Sequence, residues 1–589
     1  MMIPRFPAGA SLVLVALALA VSPSLRAAPA WVERSNGDSA VLLKAIGSVG
    51  PEEASSLGLR GYDSEVMDLG PGRTERVESA LKAARVTLKA SLEKEADPQV
   101  REDLQILIQA CDLRIERGEL DERLMLRFID VGQLVFYGEL FLLQDQASAE
   151  RRPAALARLR KYTGIEPGTK PATELAKALF EQSCRKPGRL GPFRGDVEQA
   201  LASAASYARG VRGLFEKNPI AGAGPALDAL DAQLKDYAAW ARSSVLARAR
   251  DDFRQPPEAY ALDLRQVGLG ITPQELISKA ELEYTEAQNE LKALAPMVAR
   301  ERGFQASDYR TVIRELKKEQ MAKDDIEPYY REIIGKVEDV IRRERIISLP
   351  DRPLLMRFAS EAETAALPAP HYQPPPIIGN RGERGEFILP LVNPQATGKA
   401  ALKFDDFTFK AAAWTLTAHE GRPGHDLQYA SMVERGVSQA RSIFAFNSVN
   451  VEGWALYAEA ELKPFEPLEG QMIALQLRLL RAARAILDPM LNLGMITRER
   501  AHDILTGDVV LSEAFAGEEL DRYTFLAPGQ ATSYFYGYTR LMELRASTEF
   551  ALGARFDRYA FNNFIVGQGL LPPDLIAAAV KSEFIPSQK

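Results

Sequence analysis

The chain has 589 residues, of which 46% are hydrophobic, so it can bury a large core, and wholesale disorder is excluded. Its 73 basic and 80 acidic side chains leave a formal charge of −7, whereas a general nucleic-acid-binding protein normally carries a basic excess. Two cysteines cannot build a disulfide scaffold or a cysteine-ligated zinc cluster. Histidine chemistry must come from the four histidines, His371, His419, His425 and His502. We therefore expect a globular protein with no nucleic-acid partner.

Residues 1–30 have the features of a cleavable export signal. Arg5 supplies a positive charge, residues 11–21 form an apolar stretch too short to span a bilayer, and residues 28–30 provide small side chains before a cut. We place the cut after Ala30, because the other candidate position would leave a proline next to the scissile bond. No cysteine follows the apolar stretch, so this is not a lipoprotein signal, and an uncleaved membrane anchor is the alternative. The prediction is a periplasmic or secreted protein with no membrane attachment after cleavage.

Residues 31–348 are assigned to an N-terminal helical region. From about residue 75 onward, apolar residues recur at the three- and four-residue spacing typical of amphipathic helices. Thr272, with proline next and Glu275 three positions on, has the pattern of a capping box and predicts a helix that runs to about Arg302.

Residues 349–403 are rich in proline and glycine, which excludes a long helix. Within this segment the sequence EFILPL, residues 386–391, predicts a short strand. Pro390 suggests that this strand lies at a sheet edge, where part of the backbone is unpaired. The alternative is an ordinary connection between two lobes. Residues 404–589 are predicted to be helical again.

The most informative segment contains His419, Glu420 and His425. Two imidazoles at short spacing on a helix, with a glutamate beside the first, are the parts of a hydrolytic zinc site. The histidines would bind the metal, and Glu420 would take a proton from the attacking water.

The spacing between His419 and His425 differs from that of the common zinc helix. Histidines four residues apart share a helix face, whereas residues six apart lie about 240° apart in a regular helix. Gly421, Pro423 and Gly424 could relieve this, because proline removes a backbone donor and glycine tolerates a distorted turn. We therefore predict a local bulge or break that returns His425 to the face of His419. The alternative is a helix that simply ends here, with two surface histidines.

Several segments resemble one family in the same order along the chain. HEGRPGHDLQ at residues 419–428 resembles the H-E-x-x-P-G-H signature of domain-of-unknown-function family 885. VEGWALYAE at 451–459 resembles that family's V-E-G-W-A-L-Y-x-E helix. The pair at 522–523 with PGQATSY at 528–534 resembles its R-Y…P-G-Q-A-x-x-Y block, and YQPPP at 372–376 its proline-rich stretch. The family consists largely of exported bacterial proteins regarded as zinc-dependent, gluzincin-type peptidases.

The resemblance implies roles for further residues. Glu452 would be the third ligand of a single Zn²⁺ ion, with Glu459 as the alternative ligand or as a partner of one. Tyr534 would donate a hydrogen bond to the developing oxyanion, with Tyr538 as the alternative. Arg540 and Arg545 could bind a peptide carboxylate, although ordinary surface salt bridges would explain them equally well.

The resemblance and the residue patterns together predict a mainly α, large two-lobed gluzincin-like metallopeptidase with a small short-stranded sheet beside the active-site cleft. Its substrate would be a peptide or oligopeptide. Two alternatives stay open, a zinc hydrolase of a non-peptide amide or ester and a degenerate, non-catalytic peptide-binding protein. The sequence leaves open the oligomeric state, endo- or exopeptidase action, and whether Cys111 and Cys184 form a disulfide.

Overall fold

The computed structural model describes residues 29–391 and 405–588. Residues 1–28 of the predicted export signal lie outside the described residues. The predicted cut after Ala30 falls at the start of the first helix. No helix among the described residues is both long enough and apolar enough to span a bilayer.

The α-helices are numbered in chain order. They are α1 Ala30–Val49, α2 Pro51–Ser56, α3 Arg73–Leu92, α4 Pro98–Leu124, α5 Val131–Leu143, α6 Arg152–Tyr162, α7 Ala172–Cys184, α8 Arg194–Lys217, α9 Gly224–Trp240, α10 Pro257–Val267, α11 Pro273–Arg302, α12 Tyr309–Lys317, α13 Lys323–Arg343, α14 Glu361–Ala366, α15 Ala412–Leu416, α16 His425–Arg435, α17 Ser448–Leu462, α18 Leu468–Asn492, α19 Arg498–Asp503, α20 Glu513–Asp521, α21 Ser533–Leu552, α22 Arg558–Gly567, α23 Pro573–Ala579 and α24 Ile585–Ser587. The predicted mainly α fold is confirmed, with a small sheet described below.

Shorter helical turns extend or join these helices. Wide π-type turns cover Ala241–Val245, Thr417–Gly421, Ala440–Phe444, Ile504–Asp508, Arg522–Leu526 and Val580–Phe584. Tight 3₁₀ turns cover Arg60–Tyr62, Ala149–Arg151, Leu246–Arg248, Lys463–Phe465, Gln530–Thr532 and Gly553–Arg555.

The capping box predicted at Thr272 is present. The Thr272 side chain accepts from the backbone N–H of Glu275, and the Glu275 carboxylate accepts from the backbone N–H of Thr272. The helix that it opens, α11, ends at Arg302 as predicted, because Gly303 follows in the left-handed conformation that ends helices.

The sheet has three short strands: β1 Leu355–Phe358, β2 His371–Gln373 and β3 Glu386–Leu389. Their order is β1-β3-β2, with β3 parallel to β1 and antiparallel to β2. The strand predicted in EFILPL is therefore present, but the prediction that it lies at the edge is wrong, because β3 is central. Pro390 follows the last residue of the strand, so its missing N–H removes no hydrogen bond from the ladder.

Two large hydrophobic cores hold the helices together. The larger core joins α1, α3 and α4 to helices as distant as α22 and α23, so it draws side chains from both predicted helical regions. The second core lies among α5 to α9. The boundaries proposed at 31–348, 349–403 and 404–589 stay predictions. Cys111 and Cys184 are free thiols, and Cys111 is buried in the larger core.

Candidate metal centre

The backbone breaks between the two neighbouring histidines. Helix α15 continues into the wide turn Thr417–Gly421, which contains His419, and α16 begins anew at His425. Gly424 is required at this break, because a Cβ there would lie 1.9 Å from the carbonyl oxygen of His419. The break brings the centroids of the two imidazole rings to 4.8 Å from one another.

Side chains from other elements fix the turn between the histidines. The indole N–H of Trp454 on α17 donates to the carbonyl of Pro423 at 2.9 Å. The buried guanidinium of Arg422 donates to Asp426 at 2.9 Å and to Glu338 on α13 at 2.6 Å. These contacts hold a turn whose own backbone lacks regular helical hydrogen bonds.

His419, His425 and Glu452 form a cluster that could hold a metal ion. One ligand atom from each residue lies within 4.8 Å of the other two. The Nε2 atoms of both imidazoles are 3.4 Å from Oε2 of Glu452, which comes from α17. This Oε2 is shielded from solvent and makes no hydrogen bond within the described part of the chain. Two imidazole nitrogens and one carboxylate oxygen are a donor set that fits zinc and leaves one coordination position open.

Glu459 lies behind His419, on the side away from the cluster. Its Oε1 is 2.7 Å from Nδ1 of His419, while its Oε2 accepts from the Thr415 hydroxyl at 2.8 Å. If Nδ1 carries the proton that Glu459 accepts, the lone pair on Nε2 faces the carboxylate of Glu452. Two electron-rich atoms this close need a cation between them. The geometry therefore favours Glu452 as the metal ligand and Glu459 as the residue that orients the His419 ring.

The electrostatics of the cluster agree with a cation site. Burial lowers the pKa of His419, but the nearby carboxylates of Glu452 and Glu459 outweigh this and raise it to about 9. Burial would raise the pKa of Glu452, yet the two imidazoles hold it well below its usual range. The cluster therefore attracts positive charge, whether from a proton or from a metal ion.

Glu420 is adjacent in sequence to His419 and is buried. Burial raises the pKa of this carboxyl above its ordinary value, although both histidines act in the opposite direction. A buried carboxyl with a raised pKa is suited to accepting and releasing a proton.

Tyr534, at the start of α21, lies beside His419. Their rings are nearly parallel, with centroids 6.1 Å apart. The Tyr534 hydroxyl accepts from Arg522 at 2.6 Å, which leaves its own proton free to be donated elsewhere. The alternative, Tyr538, lies one turn further on α21, and its ring faces the guanidinium of Arg478.

The arginines proposed from the sequence for carboxylate binding have other partners. Arg540 donates to Asp574 at 2.7 Å, and Arg545 bonds Glu461 and the Tyr457 hydroxyl. Arg481 on α18, which the sequence analysis did not single out, instead lies next to Glu459, at 3.1 Å. Arginines that recur at helical spacing usually lie on a solvent-exposed face. The sequence therefore gave no sign that Arg481 is buried beside the cluster.

The two remaining histidines lie apart from the cluster. His371 is in β2, and its Nδ1 is 2.9 Å from the carbonyl of Ala369. His502 on α19 is partly exposed and lies 3.0 Å from a carboxylate oxygen of Glu513.

The sheet lies against the candidate metal centre through strand β2. The ring of Tyr372 in β2 is 6.4 Å from the ring of His425 and 5.7 Å from that of Tyr429 on α16. Within the described residues β2 pairs with β3 alone, so its other edge carries unpaired backbone groups.

The fold and site define a mainly helical protein with a buried His-His-Glu cluster, and comparison with known proteins places it in a family. The model of the family described as bacterial proteins of unknown function, DUF885, matches residues 51–580. The chain belongs to this family. No curated protein matches it.

Two solved structures have similar folds, and both are described as a "putative lipoprotein". The one from Colwellia psychrerythraea has a TM-score of 0.75 and 17% sequence identity, covering 94% of this chain and 99% of its own. The one from Shewanella oneidensis, described as of unknown function, has a TM-score of 0.68 and 19% identity, covering 94% of this chain and 100% of its own. At this identity the likeness shows the fold alone.

Proposed function

We propose that this chain is an exported, zinc-dependent peptidase of the gluzincin type, with a cleft shared by two lobes. The observation that carries the proposal is the cluster of His419, His425 and Glu452, whose three ligand atoms converge with Glu420 adjacent in sequence. The predicted signal at residues 1–30 supports a periplasmic or secreted location.

Each residue has a distinct task in this mechanism. Zinc, when bound by the three ligands, supplies the Lewis acidity that polarises a carbonyl and lowers the pKa of a water. Glu420 accepts the proton of that water and passes it to the leaving amine. The raised pKa of Glu420 supports the transfer to the amine, because the carboxyl then retains the proton until the leaving group accepts it.

Tyr534 is assigned to the oxyanion. Because Arg522 already donates to its hydroxyl oxygen, the phenolic proton is available to the substrate. Burial raises the pKa of Tyr534, so the phenol keeps its proton at neutral pH, although Arg522 acts in the opposite direction.

The unpaired edge of β2 supports an extended peptide as the substrate. A peptide can add beside such an edge through main-chain hydrogen bonds, and Tyr372 places this edge next to His425. A substrate bound there would present a backbone carbonyl to the cluster.

The test is the substitution Glu420→Gln, with Glu543→Gln as the control. The first variant should keep about one zinc ion per chain and lose about 10²- to 10⁴-fold in kcat against peptides. Glu543 is exposed on α21, so its variant should match the wild type. Turnover at the wild-type rate in Glu420→Gln would rule out this mechanism.

Metal analysis and product analysis separate the competing functions. The purified protein should contain stoichiometric zinc and should digest a mixed peptide library until a chelator is added. A substantially zinc-free protein would indicate a degenerate peptide-binding protein. A zinc-loaded protein that cleaves esters or non-peptide amides while leaving peptides intact would indicate the other hydrolase.

A further inference from the structure

Arg481 is a buried arginine with unused hydrogen-bonding capacity. It is 5% exposed, and only its Nη2 atom is bonded, to Glu459 at 3.1 Å. Its Nε and Nη1 atoms are shielded from solvent and make no hydrogen bond with any part of the described chain. A buried charge with unpaired donors is costly, so a ligand that accepts from it would recover free energy.

Arg481 belongs to a group of three guanidiniums around Tyr534. The guanidinium carbons of Arg484, Arg522 and Arg481 lie 4.5, 5.1 and 5.8 Å from the centroid of the Tyr534 ring. Arg484 is held by both oxygens of Glu519, and Arg522 lies 3.6 Å from the same carboxylate. Arg484 and Arg522 thus share the carboxylate of Glu519, whereas the hydrogen bond of Arg481 goes to Glu459.

The neighbouring Glu518 adds little negative charge to this group. Burial and the adjacent Glu519 raise its pKa to about 8, so most of this carboxyl is protonated at neutral pH. Among the three arginines, Arg481 is the one with buried donor atoms that make no hydrogen bond in the described chain.

Arg481 lies close to the candidate metal centre. Glu459 Oε1 contacts both Arg481 and Nδ1 of His419, at 3.1 and 2.7 Å. Arg481 also lies 5.8 Å from the centroid of the Tyr534 ring, which is itself 6.1 Å from the His419 ring. An extended residue spans about 3.3–3.6 Å, so these distances correspond to at most about four residues between a group at Arg481 and the cluster. Because Arg481 is enclosed, a chain end fits there better than a continuing chain.

We propose that Arg481 binds the free C-terminal carboxylate of the substrate peptide, so that cleavage occurs within about four residues of that end. This inference rests on the function proposed above. The planar guanidinium suits a carboxylate, which can accept two parallel hydrogen bonds from it. The substrate class is then short peptides, or peptides trimmed from the carboxyl end.

The test measures binding separately from turnover. Acetyl-Ala-Ala-Ala, its C-terminal amide and acetyl-Ala-Glu-Ala-amide are titrated calorimetrically into the full-length protein after chelator treatment, and their cleavage is measured with the zinc-loaded protein. The free acid should bind about tenfold tighter than either amide. Equal binding of acid and amide would overturn the inference. Tight binding of the glutamyl amide would show that the site takes a side-chain carboxylate instead, which also contradicts it.

Three variants complete the test. Arg481→Met should reduce binding of the free acid to the level of the amide, and Arg481→Lys, which retains a charge for Glu459, should fold normally and lose most of the preference. Arg478→Met, one turn earlier on α18 and paired with Glu283 and Glu290, should keep the preference. A preference that survives in both Arg481 variants refutes the proposal. Failure of the zinc-loaded wild type to cleave any peptide would contradict the proposed function, while the binding preference would still test Arg481.

Discussion

Glu459 shows how a residue outside the cluster of His419, His425 and Glu452 can position a member of that cluster. It accepts from Thr415 and Arg481 and, through Nδ1, fixes the orientation of the His419 ring. A carboxylate in this position selects the imidazole tautomer whose Nε2 lone pair faces Glu452, and it raises the basicity of that nitrogen.

Glu459→Gln is expected to weaken zinc binding. The amide can still accept from one neighbour, but it no longer supplies a charge to His419, and loss of such a partner costs about 10- to 100-fold in metal affinity. Competition with a zinc-binding dye measures the effect.

Glu461→Gln is the matched control for this prediction. It lies two positions further on α17 and pairs with Arg545, away from the cluster. Its zinc affinity should equal that of the wild type, so equal losses in the two variants would contradict the role given to Glu459.

At the scale of secondary structure, the candidate metal centre depends on an interrupted helix. The wide turn at Thr417–Gly421 and the restart of α16 at His425 place both imidazoles on one side. Gly424 permits this because it has no Cβ, which would otherwise overlap the carbonyl oxygens of His419 and Ala418.

Gly424→Ala is expected to disrupt the break. The new Cβ would meet the His419 carbonyl oxygen at 1.9 Å, so the backbone must move and His425 with it. We expect a loss of several kcal/mol in the free energy of unfolding, of the order seen for strained core substitutions, together with loss of stoichiometric zinc. Denaturant unfolding and metal analysis measure the two effects.

Gly335→Ala is the control for Gly424→Ala, because it should leave the protein folded and able to bind zinc. Gly335 is inside α13, and a Cβ there meets nothing within 4 Å. This variant should retain zinc and gain about 0.5–1 kcal/mol, because alanine favours the helix over glycine. A harmless Gly424→Ala substitution would show that the backbone at the break is not constrained in this way.

At the scale of the whole molecule, buried polar groups join parts of the chain that are distant in sequence. Asp488 on α18 is fully buried and accepts from the Tyr260 hydroxyl on α10 and from the backbone N–H of Gly529, each at 2.9 Å. It thus connects α10 and α18 to the loop before Tyr534. Burial raises the pKa of Asp488 to about 7 despite these hydrogen bonds.

The raised pKa predicts a pH dependence of stability. The folded state holds the Asp488 proton more tightly than the unfolded state does, so this contribution is complete below the ordinary value of 3.8 and is lost as the pH rises to about 7. The free energy of unfolding should fall over this window, by at most about 4 kcal/mol from this one group.

Asp488→Asn should remove this part of the pH dependence, because asparagine does not titrate. Denaturant unfolding at several pH values between about 4 and 7 measures the difference, with the exposed Asp339→Asn as the control. A variant whose stability falls as steeply as that of the wild type would contradict the assignment to Asp488.

Much of the fold could be predicted from local patterns. The capping box at Thr272 and the glycine after Arg302 defined α11 correctly, because the signals that begin and end a helix lie within a few residues of its ends. The position of β3 within its sheet could not be predicted in this way. Pro390 indicated an edge, but which strands pair with β3 depends on β1 and β2, which are separated from it in sequence.

The sequence by itself determined that the chain is mainly helical, that its histidine chemistry has four candidates, and that a proline- and glycine-rich turn separates two of them. Only the tertiary structure decided which glutamate of α17 faces the imidazoles and which supports one from behind, and that Arg481 rather than Arg540 or Arg545 has free donors beside them. The physical reason is that helix propensity and capping act over a few residues, whereas a ligand set and an unpaired charge are defined by elements that meet only when the core packs.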